Sequence, residues 1–171
     1  MVKWQSESLN LVKIKTSVFK MNQDPQLAES LHHKFITEIV KNKSVWGLTN
    51  VKRWATASSS FFKKAEVMPF WSNELDAKLC AKEDWKSYHA SEITLVEFLE
   101  NWCAGLYEDH LLVGTNWTVE LFGNEIEPLD LILEILEEIK SHNVDIHFKL
   151  YKSLEDFELM VKDMIENEKE D

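Results

Sequence analysis

The sequence predicts an α+β fold: a small mixed, mainly antiparallel sheet of about four to five strands packed against about three to five helices. Three observations predict it. Helix-type apolar spacing and strand-type alternation both occur along the 171 residues. They interleave without the regular β-α-β rhythm of a nucleotide-binding fold. Hydrophobic residues make up 44% of the chain, against four glycines and three prolines, a composition that packs rather than stays disordered.

Taken in order, residues 1–20 carry Lys3, Lys13, Lys15 and Lys20 against one acid, Glu7, and alternate weakly at Val12, Ile14, Thr16 and Val18. They read as an edge strand or arm, or as an upstream start, since Met21 offers a second beginning; residues 21–171 then form a single domain. Asp24-Pro25 is a helix start, a capping side chain followed by a proline at the first helical position. Leu27, Leu31, Phe35 and Ile39 share one face of that helix as far as about Asn42. Val45–Leu48 reads as a strand, followed by a polar connection over residues 50–64 that is long enough to suggest function.

Residues 66–71 read as a strand that lies at an edge or ends at Pro69, because proline cannot donate to a ladder. Phe70 and Trp71 then point to opposite faces, and one core layer takes only one of them. Ser72 reads as the cap of a helix reaching Ala81. Thr94-Leu95-Val96-Glu97 is a capping box opening a helix with Phe98, Leu99 and Trp102 on its apolar face and its end at Gly105. Leu111–Thr115 and Trp117–Phe122 read as paired strands. Pro128 starts a helix to about Lys140 whose apolar set is wider than one stripe, so that helix is deeply buried or covered by a partner. Asp145–Leu150 alternates as a strand, and Ser153 caps a last helix with Phe157, Met160, Val161 and Met164 on one stripe. The acidic end, ENEKED, is expected to fray.

The charge balance limits the partners. With 19 Lys plus Arg and 30 Asp plus Glu, the formal charge of -11 repels phosphate backbones and anionic lipids, so neither nucleic acid nor membrane is an expected partner. No apolar run reaches the roughly 20 residues that span a bilayer, and the start lacks a secretory apolar block, which points to a cytoplasmic protein. Cys80 and Cys103 are too few for a disulfide framework and read as reduced, partly buried thiols.

Candidate chemistry is sparse. The six histidines form no metal-binding spacing, and no cofactor motif occurs. His32 and His33 read as solvent-facing positions of the first helix. Nothing surrounds Ser72 with the glycines of a nucleophile elbow, and the cysteines sit at core positions where burial makes a thiol inert. The chain therefore leans away from being an enzyme. One regional pattern stands out: residues 120–138 hold seven acids and no Lys or Arg.

Several residue groups together carry a resemblance. Val45-Trp46-Gly47-Leu48, Met68-Pro69-Phe70-Trp71-Ser72, Phe98-Leu99 with Trp102 and Gly105-Leu106, and Leu112-Val113-Gly114 with Asn116-Trp117 occur in that order. Over about residues 30–140 the chain resembles the bacterial family known as domain of unknown function 2750. The resemblance implies no activity, cofactor or catalytic residue, and it leaves residues 141–171 as a strand-helix extension.

Two functions from different classes fit these observations. The first is a non-enzymatic protein-binding module, immunity-like in one form, that holds a basic protein partner through Glu125, Glu127, Asp130, Glu134 and Glu137. The second is a small-molecule-binding or enzymatic domain with an aromatic pocket lined by Trp46, Trp54, Phe70, Trp71 and Trp117, anchored by Asn116 with Asp109 or His110.

Overall fold

A computed structural model describes residues 24–169; the arm read over residues 1–20 lies outside them. The fold is α+β. Helix α1 (Pro25–Asn42) begins where Asp24 accepts from the Gln26 amide at 3.0 Å, and ends at Lys43 in the left-handed conformation. Strands β1 (Ser44–Thr49), β2 (Ala57–Ser58) and β3 (Glu66–Trp71) follow, then α2 (Glu74–Cys80), a 3-10 turn (Glu83–Trp85) and β4 (His89–Thr94). Next comes a composite helix, α3, made of Leu95–Glu97, a π-helical segment Phe98–Trp102 and Cys103–Glu108. Strands β5 (Leu112–Thr115) and β6 (Asn124–Ile126) and helices α4 (Pro128–Ser141) and α5 (Leu154–Glu168) complete the order.

The sheet runs β4-β1-β3-β5-β6, with β2 also on β3. All pairs are antiparallel except β3 with β5, which align in parallel at Val67 with Leu112 and Phe70 with Thr115. Pro69 predicts a strand that lies at an edge or ends there, yet β3 is central and runs on to Trp71. On one side β2 pairs with Glu66 and Val67 and β1 pairs with Phe70 and Trp71, so the proline stands where that ladder is interrupted.

Both faces of the sheet are covered, which changes the expectation for Phe70 and Trp71. Each is fully buried, in a different core. Phe70 belongs to the face packed by α1, α3, α4 and α5, together with Phe35, Phe98, Leu131 and Ile135. Trp71 belongs to the opposite face, with Ala77, Cys80, Trp85 and Trp117. The wide apolar set of α4 is explained by burial, since α4 packs against α1, α3 and α5.

Four further expectations are corrected. Trp117–Phe122 is not a strand: Asn116, at φ 45°, turns the chain out, and Thr118 closes a tight loop by donating to the Phe122 carbonyl at 2.8 Å. The Trp117 indole folds back into a slot at Gly114, where an added Cβ would lie 2.6 Å from the ring, and β5 pairs with β6 instead. Asp145–Leu150 has no ladder; a single buried carboxylate oxygen of Glu100 accepts its amides, from Lys149 at 2.9 Å and Leu150 at 2.7 Å. The α2 cap is Asn73, which accepts from the Asp76 amide, because the Ser72 hydroxyl is engaged elsewhere. The helix from Thr94 runs through Gly105 to Glu108. Strand β4 has only one large apolar residue, Ile93, and no local signal announced it.

Candidate functional site

The parallel strands β3 and β5 end side by side, at Trp71 and Thr115, under helix α1. Carboxyl ends of parallel strands leave polar backbone and the next side chains gathered in one place. Here those side chains are Ser72 and Asn116. The left-handed turn at Asn116, a conformation asparagine tolerates, lets its amide donate to the Phe70 carbonyl at 2.9 Å. Its side chain accepts from the Ser72 amide at 2.9 Å and donates to the Leu31 carbonyl of α1 at 3.3 Å. The Asn116 amide nitrogen also donates to the Ser72 hydroxyl at 3.0 Å, and that hydroxyl donates to the Glu38 carboxylate. Six residues before Glu38 on α1, His32 joins the same cluster.

His32 is buried between Thr115, 2.9 Å from Nδ1, and Glu134 of α4, 2.7 Å from Nε2. A carboxylate only accepts, so Nε2 carries the proton; in the neutral ring Nδ1 is then the acceptor of the Thr115 hydroxyl. The hydrogen bond from His32 holds the Glu134 carboxyl below its usual range, against the opposite pull of partial burial. Hydroxyl, imidazole and carboxylate stand in the order of a nucleophilic relay, but the Thr115 hydroxyl is fully buried and spent inward. Ser72 is equally enclosed and has a carboxylate, not an imidazole, as its acceptor. The solvent-facing members of the cluster are carboxylates.

Of these, Glu134 opens onto a cleft of about 630 Å³ between α1 and α4. It is lined by Glu29, Glu134, Glu137 and Glu138 together with Ile36, His32, His33, Asn124 and Ser141. Among the described residues, no group of three or more His, Cys, Asp or Glu side chains is placed to hold a metal ion. No described helix is long and apolar enough to cross a membrane.

The sheet divides the aromatic set expected from the sequence. Phe70 and Trp54 lie on the α1 face, Trp54 edge-on to Trp102 at 4.4 Å and Phe70 edge-on to Phe98 at 5.0 Å between ring centroids. Trp71, Trp117 and the half-buried Trp46 lie on the other. Asn116 sits at the end of β5, and Asp109 and His110 are exposed at the C-terminal end of α3. The acidic set divides too. Glu134 and Glu137 line the cleft, while Asp130 and Glu127 are exposed nearer the start of α4. Although Glu127 is exposed overall, partial desolvation of its carboxyl, then repulsion by Glu168 and Asp130, raises its pKa. Glu125 turns to the other face, where it accepts from the Ser59 hydroxyl and from the Ser60 amide at 2.9 Å.

His32 corrects the expectation of an exposed position. The signal was present: Ala28, His32, Phe35, Ile36 and Ile39 have helical spacing and form the buried face of α1. Glu38, Ser72 and Thr115 had no comparable local signal, because the pairing of β3 with β5 brings Ser72 near Thr115 and the packing of α1 on the sheet brings Glu38 to Ser72.

No curated protein and no solved structure matches this chain. A family model described as "Protein of unknown function (DUF2750)" matches residues 32–135, a segment containing His32, Glu38, Ser72, Thr115, Asn116 and Glu134. The resemblance read from the ordered motifs is thereby established, and the chain belongs to the DUF2750 family of proteins of unknown function.

Proposed function

We propose that the chain is a protein-binding module that takes a basic protein partner on its acidic α1–α4 face. The observation that carries this reading is the cleft itself, with four glutamates in its lining and no lysine or arginine. Glu134 is held ionised and oriented by the buried His32, so part of the charge is positioned before any partner arrives. The formal charge of -11 adds long-range attraction for a cationic partner. Burial of the Thr115 and Ser72 hydroxyls supports binding over covalent catalysis. Within this reading, an immunity-like protein that masks a basic nuclease is the more specific form, and it rests on class-level analogy.

The test titrates a synthetic lysine–phenylalanine peptide into the full chain and into Glu134→Lys/Glu137→Lys, following backbone NMR shifts at low and high salt. Binding is expected to shift α1 and α4 resonances, to weaken with salt and to fall about tenfold or more in the variant. Equal binding by the variant would place the peptide elsewhere and defeat the reading.

A further inference from the structure

Among the described residues of this acidic protein, one stretch is basic and aromatic. Residues 50–65 contain Lys52, Arg53, Lys63 and Lys64 and no acid. At its tip Phe61 and Phe62 are 60% and 56% exposed beside exposed Lys63 and Lys64. The tip is built, not loose. The Ser59 oxygen accepts from the Phe61 and Phe62 amides at 3.1 and 2.8 Å, and the Ser59 amide donates to the Ala65 carbonyl at 2.9 Å. Glu125 fastens the tip to β6 through Ser59 and Ser60. Two large rings held in water by a preorganised loop are what a binding anchor requires.

Strand β6 ends the order of the sheet among the described residues, and its successive side chains face opposite ways. Asn124 pairs with Thr115 and lines the acidic cleft; Glu125 points to the other face and holds the basic tip. Cleft and tip thus flank one edge strand on opposite faces, and the sheet keeps the tip from its own cleft. A twofold axis alongside β6, in the plane of the sheet, exchanges the faces and sets each tip against the other copy's cleft.

We propose that the partner of the acidic cleft is a second copy of this chain, whose Phe61–Lys64 tip enters it. This rests on the acidic-cleft reading above. Lys63 and Lys64 meet Glu134 and Glu137, and the rings meet Ile36 and the imidazoles of His32 and His33. The reciprocal contact makes two such insertions in one closed dimer.

Sedimentation equilibrium of the full chain at low salt tests this. A monomer–dimer equilibrium that weakens with salt is expected, with dimerisation about tenfold or more weaker in Phe61→Ser/Lys63→Glu/Lys64→Glu and in Glu134→Lys/Glu137→Lys. Circular dichroism checks that both variants are folded. Mixing Lys63→Glu/Lys64→Glu with Glu134→Lys/Glu137→Lys is expected to restore a heterodimer. A chain monomeric at every concentration overturns the proposal, and if the cleft still binds the lysine–phenylalanine peptide, the reading of the cleft survives it. A dimer lost in the tip variant but untouched by the glutamate variant overturns it by showing that the tip docks elsewhere. Tip-dependent sedimentation of a monomeric chain with phosphatidylcholine–phosphatidylserine vesicles would identify a membrane surface as the occupant instead.

Discussion

The two faces of the sheet solve the same problem with different materials. On one, four helices bury a core of phenylalanines and aliphatic side chains, in which α4 alone supplies Leu129, Leu131, Ile132, Ile135, Leu136 and Ile139. On the other, the short helix α2, a 3-10 turn and loops give little regular structure, and Trp71, Trp85 and Trp117 supply much of the buried area. The indoles do more than fill space. Trp71 Nε1 donates to the Trp117 carbonyl at 3.0 Å, and Trp117 Nε1 donates to the Asn124 carbonyl at 3.1 Å. The Trp117 carbonyl lies in irregular backbone outside any ladder, and a large ring with one donor covers the sheet and answers such a carbonyl at once. The tryptophans are the helix substitute of the loop-covered face.

The strongest way to break that comparison is truncation on each side. Trp71→Ala is expected to cost about 3–5 kcal/mol, at least as much as Leu131→Ala at about 2–5 kcal/mol. Chemical denaturation of the three proteins measures both, and a Trp71→Ala cost well below that of Leu131→Ala would mean the second face contributes little.

A smaller effect separates area from hydrogen bonding. Trp71→Phe keeps an aromatic ring but takes its donor away from the Trp117 carbonyl, leaving that group only the long contact with Cys80 Sγ at 3.6 Å. A loss of about 1–3 kcal/mol is expected, read from the same denaturation curves. A neutral outcome would reduce the indoles to apolar filler.

The mildest comparison changes no residue. Cys80 lies on the loop-covered face and Cys103 on the helical one, both buried. Burial pushes the Cys80 thiol up to about 11 and raises that of Cys103 as well, so neither is a thiolate at neutral pH in the folded protein. Under rising, sub-denaturing guanidinium, peptide mass spectrometry after iodoacetamide is expected to find Cys80 labelled first, because loops open locally before a helical core does. Simultaneous labelling would show that the two faces unfold as one unit.

Much of the fold was legible because its signals are local. Asp24-Pro25, Thr94 and Ser153 cap helices where the sequence places them, and the spacing of α4 and α5 matches their buried faces. The candidate site was far less legible. Glu134 and Glu137 stood out as part of an acidic run, but the cleft also needs Glu29 and His32, over a hundred residues away in the chain. Glu125, from the same run, serves the opposite face because it is one residue past Asn124 in a strand of period two.

Taken alone, the sequence determined the α+β class, the principal helix starts, the burial of both cysteines and the acidic character of residues 120–138, since these follow from composition and short-range spacing. Only the tertiary structure decided that β3 is central, that it lies parallel to β5, and that Phe70 and Trp71 are both enclosed. The reason is physical. Strand pairing joins residues far apart in the chain, and whether a second sheet face is dry depends on what loops from elsewhere cover it.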